Sequence, residues 1–398
     1  MQELWKQNNF VTIKELVSSK LPFSHYFDNG IIGTGTAIFS KVRINDCTFH
    51  EFGLNGYPHK LLHGDWFGGK GLGICQIDFK GFNIHLFTSH YHANYSPNND
   101  VYLGHRVVHR CGVCRVGRWL LGLSLFNYCS VESAQWIKLS SSSADLTIYA
   151  GDFNTEPRDV PYKIVRHVTP LADAWVEANG PEGGETSETP ANSYTARAAL
   201  KECPGGRRID YIMYCSGPNV TAETAYCSLP LHDRVPGKTI SYSDHEGVTA
   251  KLVLRRTGEG VTGRDFARMQ SVKDLSRKLE CVDEAKDILR TSVTTAKYAR
   301  LSYLLGSLAC LLLLLVAFVP YGELSMGQYV ALDVALFLLR LVLIVSGTYL
   351  FLMSVLFFRK ESHALRGTLA TLELITERGM EELGVSRVTS GPDTVDCA

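Results

Sequence analysis

Two uncharged runs set the tightest limit on how this chain can fold. Leu301–Val319 has 19 residues and Leu341–Phe358 has 18, and neither contains Asp, Glu, Lys or Arg. As helices rising ~1.5 Å per residue, each comes close to the ~30 Å of a bilayer's hydrocarbon core. A helix buried inside a globular core is the alternative, and it fits runs of this length poorly. The join, Pro320 to Arg340, holds Glu323, Asp333 and Arg340. Arg340 is expected at or near the interface, because an arginine at mid-bilayer costs ~2.5–3.5 kcal/mol or more. Lys297 and Arg300 flank the first run, and Arg359 and Lys360 flank the second. The bias of basic residues toward the cytoplasm puts both outer flanks there. The expectation is a two-helix hairpin whose large N-terminal part and C-terminal tail both face the cytosol. Glu361 to Leu383 reads as an amphipathic helix, and Gly384 onward as a frayed end.

The 398 residues suffice for one large domain plus this appendage. Forty basic and forty acidic residues cancel, which argues against a strongly basic nucleic-acid binder. The 11 cysteines are scattered and odd in number, so they read as reduced thiols rather than a secreted disulfide framework. Cys111 and Cys114 have the spacing of half a zinc site, but no second half lies near them. The opening residues, Met1 to Lys6, are not a hydrophobic signal peptide.

The pattern divides the chain into residues 1–256, a linker with helix at 257–300, the hairpin at 301–358 and a cytosolic tail helix at 359–398. A short helix is expected from Asn9 to Lys20. Strands are expected at Ile31–Ser40, Phe49–Leu54, Ile74–Phe79 and Gly81–Thr88, with a glycine-rich stretch from His63 to Gly73 before the third. A helix should start after Pro97-Asn98 and resume at Val131 to Ile137. Between them, residues 109–130 are rich in Gly and Leu and out of register, as in an insertion. A short helix is expected at Leu171–Trp175, and a mobile surface loop at Glu177–Ala191. The segment Arg207–Tyr214 reads as a strand with an acid, Asp210, in its middle. Val248 to Leu254 reads as an edge strand.

Chemistry concentrates in a few polar clusters. Gly151-Asp152-Phe153-Asn154 follows the apolar run Leu146–Ala150, which reads as a buried strand ending at Gly151. In extended chain Asp152 and Asn154 share a face. A carboxylate beside a neutral amide suits a divalent cation next to a phosphate, although the same residues also build ordinary turns. His90 and His92 close a strand, where they fit transition-metal ligands, one catalytic and one incidental residue, or structural histidines. A buried Asp210 needs a partner, and a histidine is the obvious one. Ser243-Asp244-His245-Glu246-Gly247 is either a polar turn before an edge strand or the source of that histidine.

Together these pieces resemble the neutral sphingomyelinases, in particular the small type with a C-terminal transmembrane hairpin, within the DNase-I-like endonuclease/exonuclease/phosphatase superfamily. The resemblance covers about residues 1–256. It rests on Gln2-Glu3-Leu4-Trp5, Gly30 to Gly35, Leu54-Asn55-Gly56-Tyr57-Pro58, His63-Gly64-Asp65-Trp66-Phe67, His90 and His92, the 151–154 tetrad, Arg208-Ile209-Asp210-Tyr211 and Ser243-Asp244-His245-Glu246. It implies an α/β fold, a four-layer α/β sandwich with two β-sheets face to face and helices outside. It also implies N-terminal truncation, since the family's first strand, with a metal-site asparagine, and its first helix precede the position of Glu3. The implied activity is Mg²⁺-dependent cleavage of sphingomyelin to ceramide and phosphocholine at a membrane, the endoplasmic reticulum or another internal one. By resemblance Glu3, Asp152 and Asp244 belong to the metal, and Asn154 to the phosphate. His245 is the general base, Asp210 orients it, and His90 steadies the phosphoryl group or protonates the leaving oxygen. His92, Lys70 and Asp65 have weaker claims as substrate-binding residues.

The chemistry agrees. A phosphodiester needs its charge masked, a nucleophilic water and a stabilised leaving oxygen. Hard oxygen ligands suit Mg²⁺, and two histidines from distant strands suit in-line attack. A hairpin beside a lipid substrate raises its effective concentration. Rival readings are an inactive membrane-bound binding protein, a lyso-phospholipid phosphodiesterase, and a nuclease or inositol-phosphate phosphatase of the same fold.

Overall fold

The computed structural model describes residues 1–31, 33–56, 66, 68–92, 127–257, 272–319, 322 and 325–384. The strands are β1 Phe23–Phe27, β2 Thr36–Ser40, β3 Ile44–Glu51, β4 Gly71–Phe79, β5 Phe82–His90, β6 Leu146–Asp152, β7 Ala172–Asp173, β8 Asp210–Ser216, β9 Val220–Ser228 and β10 Thr249–Arg256. The helices are α1 Gln7–Val17, α2 Asn127–Ser140, α3 Val160–Val168, α4 Ala174–Asn179, α5 Arg197–Glu202, α6 Val272–Val316, α7 Met326–Leu352 and α8 Phe358–Glu382.

Six strands form one mixed sheet in the order β3-β4-β5-β6-β8-β7. Neighbours are antiparallel except β5 and β6, which run parallel. Alternation along the strands sends side chains to two different cores. On one face Leu72, Phe87, Tyr149 and Met213 pack against Ile137 of α2 and Val165 of α3. On the other, Ile77, Ile84, Leu146 and Tyr214 meet Cys227, Ala222, Leu252 and Leu254 of the β9–β10 hairpin. The β1–β2 hairpin shares that second face, where Phe27 lies against Gly73. Its outer side is covered by Phe10 and Ile13 of α1. The result is four layers: α1, two β-hairpins, the six-stranded sheet, and α2 with α3.

The end of the chain is helical. In α6, Leu275, Leu279, Val282, Ala285 and Leu289 are buried at spacings of three and four. This stripe packs with Val131, Val160 and Ile164 of α2 and α3, and with Leu365 and Leu372 of α8. The same helix then continues, unbroken, into the apolar run from Leu301, so the expected linker helix and the first uncharged run are one element. Beyond residue 300 its large side chains are exposed, with Leu311, Leu312 and Leu313 all more than half so. Helix α7, a single π turn at Met353–Phe357 and α8 make a second continuous rod. The Ser307 hydroxyl donates to Gly347 C=O (2.9 Å) and the Ser354 hydroxyl to Arg300 C=O (3.0 Å), tying the two rods antiparallel. Arg340 donates to Ala317 C=O at 2.7 Å, so its charge caps the end of the first apolar helix. Both rods are long and apolar enough to cross a membrane.

Several expectations need correction. β1 and β9 were absent from the sequence reading, because their alternation mixes polar and apolar residues on both faces. Asp210 opens its strand rather than sitting in the middle, since Arg207 is already bridged to Ser187 in the neighbouring loop. That loop, expected to be mobile, is pinned: Thr186 and Ser187 are buried and bond to Arg207 C=O. Residues 171–175 split into β7 and the start of α4, where the Asp173 carboxylate accepts from the Trp175 N–H. The expected interruption ends earlier than residue 130, since 127–130 are already the first turn of α2. Its residues 109–126, the helix after Pro97-Asn98, and Asp65 lie outside the described residues.

Candidate active site

The site begins with a row of three side chains across the sheet. His90 on β5, Asp152 on β6 and Asp210 on β8 are in register with one another. Two residues back along the strands, Thr88, Ala150 and Ile212 form the preceding row of the same face. All three strands reach the edge of the core here, so ionisable groups replace apolar ones where solvent enters. Between the rows Gly151 lies opposite Ser89, and a Cβ on it would sit 1.9 Å from the Ser89 carbonyl oxygen. Gly151 is therefore needed for close strand approach rather than for a turn. The turn comes at Asn154, which has a left-handed φ of 48°.

That turn locks the tetrad. The Asp152 carboxylate accepts from the Asn154 N–H at 2.7 Å and from its side-chain amide at 3.1 Å. The same amide donates to Tyr91 C=O at 3.1 Å. Lys70, just before β4, is buried and donates to that carbonyl at 2.8 Å. Its Nζ also lies 3.2 Å from His90 Nε2, which is 3.5 Å from Asp152 Oδ2 and 3.9 Å from the Glu3 carboxylate. Lysine can only donate, so toward Lys70 the histidine nitrogen accepts, whereas toward the carboxylates it would donate. Glu3 itself sits on a left-handed residue (φ 63°), held by the Leu4 N–H to Gly35 C=O bond (2.8 Å).

On the other side of Asp152 stands the second histidine. His245 Nδ1 and Asp210 Oδ2 are 2.8 Å apart. The Asp210 N–H donates to the Thr186 hydroxyl (3.2 Å), and Ser187 bridges to His245, so the pinned loop fixes both partners. Burial alone would lower the His245 pKa. The hydrogen bond and charge of Asp210, with the charges of Asp152 and Asp244, outweigh it and raise it to about 10. Burial and the Asp210 charge push Asp152 up to about 8. The ligand atoms of Asp152, Asp210 and His245 lie within 4.8 Å of one another, a group that can hold a metal ion. A groove of about 670 Å³ opens over them, lined by Glu3, Asp152, Asp210, Asp244 and His245 and floored by Leu86, Ile148 and Ile212.

The structure thus brings together Glu3, Lys70, His90, Asp152, Asn154, Asp210, Asp244 and His245. It does not bring in His92. The strand ends at His90, and His92 turns into the protein, its Nε2 3.3 Å from Leu54 C=O. Sequence reasoning missed Thr186 and the Tyr91 carbonyl, which anchor the site. It also missed the seat of Glu246, buried against Asn192 (3.2 Å) and Thr189 (3.3 Å). A backbone carbonyl and threonine or asparagine side chains from a polar loop leave no signal in a sequence.

Residues 1–245 match the family described as Endonuclease/Exonuclease/phosphatase family. The chain belongs to that family. Among similar members is a Drosophila melanogaster protein named "Putative neutral sphingomyelinase", 37% identical over 64% of this chain and 52% of its own length. Sphingomyelin phosphodiesterase 2 of Homo sapiens is 33% identical over 65% of this chain and 56% of its own length. Inositol phosphosphingolipids phospholipase C of Schizosaccharomyces pombe is 28% identical, over 64% and 60%. The match spans little more than half the length of these family members. A solved structure of beta toxin from Staphylococcus aureus is 17% identical over 63% of this chain and 84% of that one, with a TM-score of 0.43.

Proposed function

We propose that this chain is a Mg²⁺-dependent phosphodiesterase of the phospholipase C type. It cleaves sphingomyelin to ceramide and phosphocholine at the surface of the membrane that holds its two apolar helices, with the catalytic part in the cytosol. The observation that carries this reading is the acid–histidine couple, Asp210 to His245 at 2.8 Å, across Asp152 from a second histidine. It occurs in a family whose similar members are named for sphingolipid phosphodiesterase activity.

The donor set fits a hard divalent cation. Glu3, Asp152 and Asp244 line one groove, and Asp152, through burial and the Asp210 charge, and His245, through Asp210, Asp152 and Asp244, both hold protons more tightly than usual. Bound there, Mg²⁺ supplies charge neutralisation at the phosphoryl oxygens. The chain's own groups supply the rest. Asp210 holds the proton on His245 Nδ1, and Nε2 is left to take a proton from water once the Asp152 and Asp244 charges, which help hold a second proton on the ring, are offset by the cation. Lys70, anchored on the Tyr91 carbonyl, brings positive charge to the phosphate. Asn154, whose two amide protons go to Asp152 and Tyr91, holds the Asp152 carboxylate in place beside it. His90, between an ammonium donor and two carboxylates, has a route for passing a proton to the leaving oxygen. The Asp210–His245 couple and His90 flank Asp152, as in-line displacement requires.

The headgroup is tested by comparing substrates in vesicles: sphingomyelin, inositol phosphosphingolipid and lyso-phosphatidylcholine. The expected order puts sphingomyelin first. The yeast family member makes inositol phosphosphingolipid the leading alternative, and faster turnover of that lipid would replace the headgroup assignment. No turnover of any of the three, with the fold intact, would favour a binding protein.

A further inference from the structure

Cys47 and Cys75 face each other across the β3–β4 ladder, directly in register. Their sulfurs are 3.0 Å apart, about 1 Å from the ~2.05 Å of a disulfide. Both are free thiols. β3 is the outer strand of the six-stranded sheet, so Cys47 is half-exposed and open to reagents from one side, while Cys75 behind it is buried. Among the described residues, Cys203 and Cys281 are arranged differently: the Cys203 thiol donates to Gly206 C=O, and Cys281 to Lys278 C=O. The ribbon that carries the pair runs straight to Lys70, whose carbonyl accepts from the Phe52 N–H at 3.1 Å.

We propose that Cys47 and Cys75 form a reversible disulfide, a modification site on the outer ribbon of the catalytic fold. The co-reactant is a low-molecular-weight disulfide such as oxidised glutathione. The Cys47 thiolate attacks one of its sulfurs, forming a mixed disulfide and releasing one thiol. The Cys75 thiolate then attacks Cys47 Sγ, closing the link and releasing the second thiol. Two protein thiols are oxidised, one small disulfide is reduced to two thiols, and the two protons go to those products. The register already holds the second sulfur beside the first, so the closing step needs little movement. Burial raises both thiols above their ordinary range, so the reaction is slow near neutrality and faster in mild alkali.

The test uses the full chain in detergent, treated with oxidised glutathione at pH 8.5, alkylated, digested with trypsin and weighed. Cleavage follows Arg43, Lys60, Lys70 and Lys80, so the link joins peptide 44–60 to peptide 71–80. The expected result is that joined peptide in most molecules, abolished by dithiothreitol and absent from Cys47→Ser. In Cys75→Ser, Cys47 is expected to keep the glutathione adduct. Half-exposed Cys203 reports that the oxidant acted. Glutathione left on Cys47 of the wild-type chain with Cys75 free would overturn the proposal. So would two free thiols beside a modified Cys203.

Discussion

The two histidines of the site stand on either side of one carboxylate and have opposite neighbours. His245 is 2.8 Å from Asp210, a carboxylate that raises its affinity for a proton. His90 is 3.2 Å from the Lys70 ammonium, which can only donate toward it. One is partnered to take a proton and the other is placed beside a cation. The type of neighbour, rather than the ring, divides the two roles, as it does wherever paired titratable groups share a site.

The comparison breaks most sharply at His245. His245→Ala is expected to lower kcat by ~10³-fold, within the range for losing a positioned general base. The loss should persist on a substrate with a good leaving group. His90→Ala is expected to cost ~10²-fold on sphingomyelin and far less on a nitrophenyl phosphodiester, whose leaving oxygen needs no proton. Equal losses on both substrates would remove the distinction between the histidines. Lys70→Met is expected to cost about tenfold and to move only the limb of the pH–rate profile that follows His90. Movement of the His245 limb instead would show that the two ends are not separable.

The smallest effect is on stability. Asp152 and His245 both bind protons more tightly in the fold than in the open chain, with values of about 8 and about 10 against 3.8 and 6.5. Groups raised in this way contribute stability that is full below the open-chain value and is lost as pH climbs to the folded value. Both therefore lose stability between pH 6.5 and 8. In EDTA, the thermal midpoint is expected to fall by roughly 5–10 °C over that window. Mg²⁺ competes with those protons, so its stabilisation should be larger at pH 8 than at pH 6.5. A metal shift independent of pH would place the cation away from these groups.

Much of this was legible in the sequence where a single local pattern carried the information. The run Leu146–Ala150 became the centre of β6, and the uncharged runs became long apolar helices, because burial and hydropathy are properties of consecutive residues. Asp152 is legible because it closes an apolar strand and Asp210 because it lies in one, whereas His245, in the turn before β10, is assigned through the family resemblance. What was not legible depends on residues far apart. Gly151 was read as a turn, but its role is set by the Ser89 carbonyl on another strand. His92 was paired with His90 by spacing, yet the strand stops between them and sends the two rings to different surroundings. The loop from Glu177 looked mobile from its Gly, Glu and Thr content, but bonds from Arg207 and to Asp210 and His245 make it the frame of the site.

The measurement that tests the central claim most directly is phosphocholine release from sphingomyelin vesicles by the full chain, with Mg²⁺ or with EDTA, beside His245→Ala. The expected result is release with Mg²⁺, none above background in EDTA, and none from the variant. Release that survives either EDTA or the loss of His245 would contradict a metal-dependent phosphodiesterase built on the Asp210–His245 couple.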